Sequence, residues 1–243
     1  MTAALEWGGE RLADDGIRER ELAATVDGER VPGVLWEGPG RGSPRPLVMA
    51  GHGFMLHRHM PFPLPFLRAL AGEHGCAVAV LDAPGHGDRR KNADQPAEET
   101  ARDYQEHWGR FAGSRIAREY GETAAALQQL PELRGGALGY WGLSLATQYG
   151  LGWLSEAPPV RAAVLGLFGG GRVVAHYARR VRCPVFFVQQ LDDEIHPRET
   201  VARLFDALAS DDKQLAASPG RHVEVPDEVC HRATRFLLDR LRS

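Results

Sequence analysis

Residues 138–150, LGYWGLSLATQYG, join a short apolar run to a helical pattern through the pentapeptide GLSLA at 142–146. The apolar residues at 138–141 do not alternate with polar ones, which is typical of a strand buried on both faces. A serine between small residues at a strand-to-helix turn has a strained backbone and an exposed hydroxyl. The stretch therefore predicts an α/β fold and makes Ser144 a candidate nucleophile.

Further apolar runs alternate with helical patterns along the chain. Predicted strands lie at 47–50, 76–81, 137–141, 162–169, 184–190 and 214–218, and predicted helices at 63–74, 115–130, 145–154, 198–210 and 227–241. This alternation favours a mostly parallel central sheet with helices on both faces. An antiparallel hairpin at 17–37, turning at Asp27-Gly28, precedes it. The polar segment 88–114 is expected to be the least regular part of the chain.

The composition excludes several classes of protein. The 243 residues are 43% hydrophobic and 25% charged, which is typical of a folded globular chain. No linker or repeat divides them, so residues 1–243 are predicted to form a single domain without a large cap. The net charge of -3 arises from mixed signs and predicts no nucleic-acid partner. Scattered cysteines, no signal-peptide pattern and no long apolar window predict a cytoplasmic protein without membrane contact; the oligomeric state is left open.

Reactive side chains follow three of the predicted strands, at the point where each strand ends. They are Ser144 in GLSLA, the acidic pair of LDDEIHP, and His222 in GRHVEVP. Because the carboxyl ends of parallel strands meet at one edge of a sheet, we expect these side chains to lie together. A serine becomes nucleophilic when a histidine accepts its proton and a carboxylate orients the imidazole. The pattern predicts a triad of Ser144, His222 and either Asp193 or Asp192.

Two backbone N–H groups are predicted to stabilise the oxyanion of such a reaction. The tight turn directs the N–H of Leu145 toward it, and the loop beginning HGF at 52–54 offers the N–H of Phe54. Apolar side chains follow in the same loop and predict an acyl pocket, formed by Met55, Leu56, Met60 and Phe62.

Together with DAPGHG at 82–87, these motifs resemble the α/β-hydrolase superfamily over most of the chain, and in particular its small capless serine esterases and dienelactone-hydrolase-like members. The resemblance implies an α/β-hydrolase fold with Ser144 as the nucleophile and His222 as the base. The acid of the family commonly precedes a short run that ends in proline. That position favours Asp193 in DEIHP and leaves Asp192 as the alternative.

The resemblance also implies Phe54 and Leu145 as the oxyanion donors, but the chain departs from the family pattern at two positions. Ala146 stands where the family usually has glycine, and alanine keeps that position small. Dienelactone hydrolases themselves carry a cysteine where this chain has Ser144, which argues against that narrower activity.

Other motifs are interpreted as structural. His52, His57 and His59 fall within HGFMLHRH, but their spacing matches no zinc pattern, so no metal site is predicted. His52 is interpreted as a brace of the oxyanion loop, and Asp82 and His86 as turn-forming residues. The glycine-rich stretches lack the remaining residues of a nucleotide-binding motif, so no cofactor is expected.

The sequence thus predicts a serine hydrolase that cleaves small carboxylic esters with short to medium acyl chains through an acyl-enzyme. A thioesterase, a lactonase or a small serine peptidase would use the same groups, and fold alone does not separate them. A hypothesis of another class is a non-catalytic binding protein built on a hydrolase fold.

Overall fold

The structure, a computed structural model, describes residues 3–40, 42, 44–111 and 114–243. The described residues form strands β1 (Ala4–Leu12), β2 (Arg18–Val26), β3 (Glu29–Glu37), β4 (Leu47–Ala50), β5 (Ala77–Leu81), β6 (Leu138–Trp141), β7 (Val160–Gly166), β8 (Val185–Gln190) and β9 (Lys213–Ser218). They make one sheet in the order β1-β2-β3-β5-β4-β6-β7-β8-β9.

The sheet changes from antiparallel to parallel along this order. Strands β1, β2 and β3 pair antiparallel, and β3 pairs antiparallel with β5. The six strands from β5 to β9 in the sheet order are parallel. The predicted fold class is therefore confirmed, and the carboxyl ends of six strands lie along one edge.

The helices are α1 (Leu64–Gly72), α2 (Ala97–Phe111), α3 (Ser114–Leu127), α4 (Leu145–Leu154), α5 (Arg172–Ala178), α6 (Arg198–Ala207) and α7 (Asp227–Leu241), and a 3-10 turn spans Gly87–Arg89. Apolar clusters lie on both faces of the sheet, one beneath α3 to α6 and the other beneath α1 and α7. In β4, Leu47 and Met49 join the first cluster, and Val48 and Ala50 join the second. A strand buried on both faces has no polar side to show, which explains its unbroken apolar run.

Three elements differ from the sequence-based expectation. Helix α5 lies between two predicted strands, where no helix was predicted. The segment expected to be least regular contains the 15-residue helix α2, whose polar composition hides a narrow apolar stripe. Tyr104 on this helix is buried in the cluster beneath α3 to α6. The strand β1 was also not predicted, because almost all of its residues are exposed and show no alternation.

Candidate active site

Ser144 occupies a sharp turn between β6 and α4. Its backbone has φ 58° and ψ -126°, a region that residues with a side chain rarely adopt. The Ser144 N–H donates to the carbonyl oxygen of Gly166 at 2.9 Å, across to the end of β7. This bond holds the strained turn against the neighbouring strand.

Small residues let α4 pack closely on the strand before it. A Cβ atom at Gly142 would lie 2.5 Å from the Tyr140 hydroxyl, and one at Gly150 would overlap the ring of Tyr140. A Cβ atom at Gly51 would lie 2.7 Å from that of Ala146. Alanine therefore fits at position 146, and the crowding there leaves little room for a larger side chain.

Thr147 secures the turn from inside the protein. Its Oγ1 lies 2.6 Å from the carbonyl oxygen of Gly166 and 2.9 Å from that of Gly142, and it accepts the N–H of Gly166 at 2.8 Å. The Thr147 side chain is fully buried, so no water competes for these groups. No local sequence pattern marks Thr147, since Gly166 lies at the end of another strand.

The structure brings Ser144, His222 and Asp193 together at the carboxyl edge of the sheet. The distance from His222 Nε2 to Ser144 Oγ is 2.8 Å, and that from His222 Nδ1 to Asp193 Oδ2 is also 2.8 Å. Asp192 is not part of this chain of contacts. Its Oδ2 accepts the N–H of Gly220 at 3.1 Å, so it joins two neighbouring loops instead.

The second oxygen of Asp193 is also engaged. Its Oδ1 accepts the N–H groups of Ile195 and His196 at 2.8 and 2.9 Å. Burial would raise the pKa of Asp193, but these N–H groups and the His222 ring outweigh it and lower the pKa. An ionised Asp193 requires a proton on His222 Nδ1, which leaves the lone pair of Nε2 directed at the Ser144 hydroxyl.

The loop that carries Phe54 is organised by His52. The Nε2 atom of His52 accepts the N–H of Ala83 at 2.9 Å, so its Nδ1 carries the proton and donates to the carbonyl oxygen of Gly53 at 2.8 Å. That carbonyl belongs to the same peptide unit as the N–H of Phe54. Burial lowers the pKa of His52 to about 4, which keeps the ring neutral.

The two N–H groups expected to stabilise an oxyanion are not engaged. Neither the N–H of Phe54 nor that of Leu145 has a hydrogen-bond acceptor among the described residues. Leu145 is the first residue of α4, where N–H groups have no partner within the helix. Both groups are available to a bound molecule.

The four predicted pocket residues fall in different surroundings. Met55 and Met60 are 39% and 49% exposed. Leu56 is half-buried and approaches Gly53, whereas Phe62 packs against the cluster beneath α1 and α7. Their role as an acyl pocket stays a prediction.

Two further residues surround His222. Glu194 Oε2 accepts the backbone N–H of His222 at 2.9 Å. The ring centroids of His196 and His222 lie 5.7 Å apart. Both neighbours belong to the DDEIHP motif, in which the residue pattern predicts a role only for the aspartates.

The described part of the chain contains no group of three or more His, Cys, Asp or Glu side chains that could hold a metal ion. His59 instead pairs through Nε2 with Glu21 at 2.9 Å. Within the described ranges, no helix is long and apolar enough to span a bilayer.

Comparison with known proteins gives structural rather than sequence matches. No family model matches the chain, and no curated protein matches it in sequence. A cold-adapted esterase from an Arctic intertidal metagenomic library superposes with a TM-score of 0.84 at 29% identity, covering 97% of this chain and 99% of that one. Acetyl xylan esterase 1 from Thermoanaerobacterium gives 0.75 at 17% identity, covering 100% and 89%. Dienelactone hydrolase from Anabaena variabilis gives 0.68 at 20% identity, covering 93% and 100%.

These neighbours define the class of protein. All belong to the α/β-hydrolase superfamily, and this chain shares their fold. Within it, the neighbours are esterases and dienelactone hydrolases, so the resemblance seen in the sequence motifs is confirmed.

Proposed function

We propose that the chain is a serine esterase that hydrolyses small carboxylic esters through an acyl-enzyme. The observation that carries the proposal is the pair of 2.8 Å contacts from His222 to Ser144 and to Asp193, formed at a strained turn beside two unengaged N–H groups. The esterase neighbours support a carboxylic ester hydrolase rather than a non-catalytic binding protein.

Acylation begins at Ser144. The Oγ atom attacks the ester carbonyl carbon while His222 Nε2 takes its proton. The carbonyl oxygen becomes an oxyanion that accepts the N–H groups of Phe54 and Leu145. The Asp193 carboxylate stabilises the imidazolium, which then protonates the departing alcohol.

Deacylation repeats these steps with water. His222 removes a proton from a water molecule, whose oxygen attacks the acyl carbon bound to Ser144 Oγ. The second oxyanion uses the same two N–H groups, and its collapse releases the carboxylic acid and returns the proton to Ser144. Apart from the water consumed in deacylation, the proposed steps use only side chains and backbone groups of the chain.

The predicted preference for short to medium acyl chains rests on the loop after β4. Met55 and Met60 are partly exposed apolar side chains on this loop. They offer apolar surface beside the loop that carries Phe54.

The test is hydrolysis of p-nitrophenyl esters from acetate to decanoate by the wild type and by Ser144→Ala. We expect the variant to lose about 10⁴-fold or more in kcat/KM. A fluorophosphonate should form a single adduct at Ser144, located by peptide mass spectrometry. Matched thioester, lactone and anilide substrates separate the alternative activities, and a wild type that turns over none of them would contradict the proposal.

A further inference from the structure

The loop that carries Phe54 is attached to the end of β5 through Asp82. The Asp82 side chain is fully buried. Its Oδ1 accepts the N–H of Arg58 at 2.8 Å, and its Oδ2 accepts Arg58 Nη1 at 2.6 Å and the N–H of Asp88 at 3.0 Å. Both the backbone and the side chain of Arg58 are thus held by one carboxylate.

Arg58 also extends the attachment to other elements. Its Nε donates to Glu21 Oε2 on β2 at 2.9 Å, and its Nη2 donates to Asp88 Oδ2 at 2.8 Å. The Arg58 side chain is only 13% exposed. A partly buried arginine that serves three carboxylates has little freedom to move, because any rotation breaks several charge-assisted hydrogen bonds.

Phe54 therefore lies between two attachments. On one side, His52 accepts the N–H of Ala83 and donates to the carbonyl oxygen of Gly53. On the other side, Arg58 binds Asp82. Asp82 and Ala83, which hold these two attachments, are consecutive residues. One short segment after β5 therefore fixes the loop both before and after the N–H of Phe54.

Phe54 itself is only partly packed, with an edge-on contact between its ring and that of His86 at a centroid distance of 5.3 Å. Its side chain is 40% exposed, and Met55, which follows, has φ 63°. An oxyanion donor accelerates a reaction only when it is already directed at the place where the charge develops. A single ring contact of a side chain leaves the backbone free to turn, so the direction of the Phe54 N–H depends on the attachments on either side.

We infer that Asp82 and Arg58 are positioning residues that direct the Phe54 N–H at the oxyanion; this inference rests on the proposed function. Among the described residues, neither Asp82 nor Arg58 has a hydrogen bond to Ser144 or His222. Their contribution appears in the transition state and in tetrahedral adducts, which carry the charge on oxygen, and not in the binding of a neutral ester.

Glu19 provides a matched control for a merely structural role. Its side chain is 3% exposed, and it pairs with Arg68 at 2.6 Å and with Arg11 at 2.7 Å. It is thus another buried carboxylate bound to arginines, but these bonds join β2 to β1 and α1, not to the Phe54 loop. Loss of its charge should cost stability without changing the oxyanion donors.

The experiment compares Asp82→Asn with Glu19→Gln on a p-nitrophenyl ester that the wild type cleaves, with the active fraction counted by fluorophosphonate labelling. Three quantities are measured: kcat, KM, and the inhibition constant of a trifluoromethyl ketone, whose adduct with Ser144 carries an oxyanion. For Asp82→Asn we expect kcat to fall about tenfold or more, KM to stay within about twofold, and the ketone to bind more weakly by a factor similar to the loss in kcat. Glu19→Gln should leave all three within about twofold while lowering the melting temperature.

The inference is overturned if Asp82→Asn changes kcat no more than Glu19→Gln does, or if its loss appears in KM alone. Should Asp82→Asn not fold, Arg58→Gln is judged by the same criteria, since it removes the side-chain bonds and keeps the Arg58 N–H. Failure of the proposed function has a different signature. In that case the wild type itself shows no turnover that depends on Ser144. This result would overturn both the proposed esterase function and the positioning role of Asp82 and Arg58.

Discussion

The Thr147 hydroxyl contacts both backbone polar groups of Gly166: its Oγ1 accepts the Gly166 N–H at 2.8 Å and lies 2.6 Å from the Gly166 carbonyl oxygen. The same carbonyl accepts the N–H of Ser144 at 2.9 Å. A threonine buried under the first turn of α4 thus connects the nucleophile to the end of β7.

Replacing Thr147 with valine keeps the shape of the side chain and removes its hydrogen bonds. The Gly166 N–H is then buried without a partner, which costs about 1–3 kcal/mol of unfolding free energy. Because the turn at Ser144 loses support, we expect kcat to fall by about tenfold as the nucleophile shifts. Chemical denaturation and ester kinetics measure the two effects.

Thr123→Val is the matched control for this substitution. Thr123 is equally buried, but its Oγ1 has no hydrogen-bond partner among the described residues. Removing an unpaired buried hydroxyl should be neutral or slightly stabilising and leave kcat unchanged. Equal losses in both variants would show that the bonds to Gly166 contribute nothing.

The adjacent aspartates provide a second prediction. Asp193→Asn leaves an amide beside His222 Nδ1, which no longer favours the tautomer with the proton on that atom, and we expect kcat to fall about 10⁴-fold. Asp192→Asn changes only a contact with Gly220 and should retain activity within about threefold of the wild type. Parallel kinetics on one ester decide between them. A large loss at Asp192 and a small one at Asp193 would reverse the assignment.

A third prediction concerns two helical glycines. Alanine in place of glycine inside a helix ordinarily stabilises by about 1 kcal/mol. At Gly150 the added Cβ overlaps the Tyr140 ring, and overpacking of about 1–3 kcal/mol outweighs that gain, so Gly150→Ala should destabilise. At Gly121 the nearest atom to an added Cβ is the Trp153 Nε1 at 3.4 Å, so Gly121→Ala should be neutral or stabilising. Thermal unfolding of both variants tests the opposite signs.

The fourth prediction is a pH dependence of stability that arises from His52. Since burial lowers its pKa from 6.5 to about 4, the unfolded chain binds a proton between these values that the folded chain does not. The folded state therefore loses stability as the pH falls through this window, by about 2 kcal/mol between pH 7 and pH 5 from this one group. Urea unfolding at both pH values should show a smaller loss in His52→Gln. An equal loss of stability in His52→Gln and in the wild type would contradict the prediction.

The parts of the fold that sequence could predict are those in which burial and periodicity coincide. Strands such as β4 and β5 are buried on both faces, so their unbroken apolar runs were sufficient to predict them. Helix α2 and strand β1 could not be predicted in the same way, because their polar or exposed residues carry no clear period.

In the candidate active site, too, local features could be predicted and contacts between distant segments could not. The turn at Ser144 was predictable because its neighbours in sequence are its neighbours in space. The motif DAPGHG favours a turn-forming role for Asp82. Its bond to Arg58 could not be predicted, because Arg58 lies on another loop and no local pattern shows such a pair. The choice between Asp192 and Asp193 stayed open in the sequence, since adjacent side chains point in different directions; the structure places Asp193 against His222.

The position of His222 has a consequence for how the protein folds. His222 follows β9, the last strand of the sheet, whereas Ser144 follows β6, three strands away in the sheet order and 78 residues earlier in the chain. In the sheet, β9 pairs with β8 and β8 pairs with β7, so His222 can reach Ser144 only after these intervening strands are in place. A refolding chain can bury Trp141 in the centre of the sheet while it still lacks a base for Ser144. During refolding, ester turnover should therefore recover later than the native tryptophan fluorescence. The delay between the two signals would measure the time that β9 takes to join the sheet.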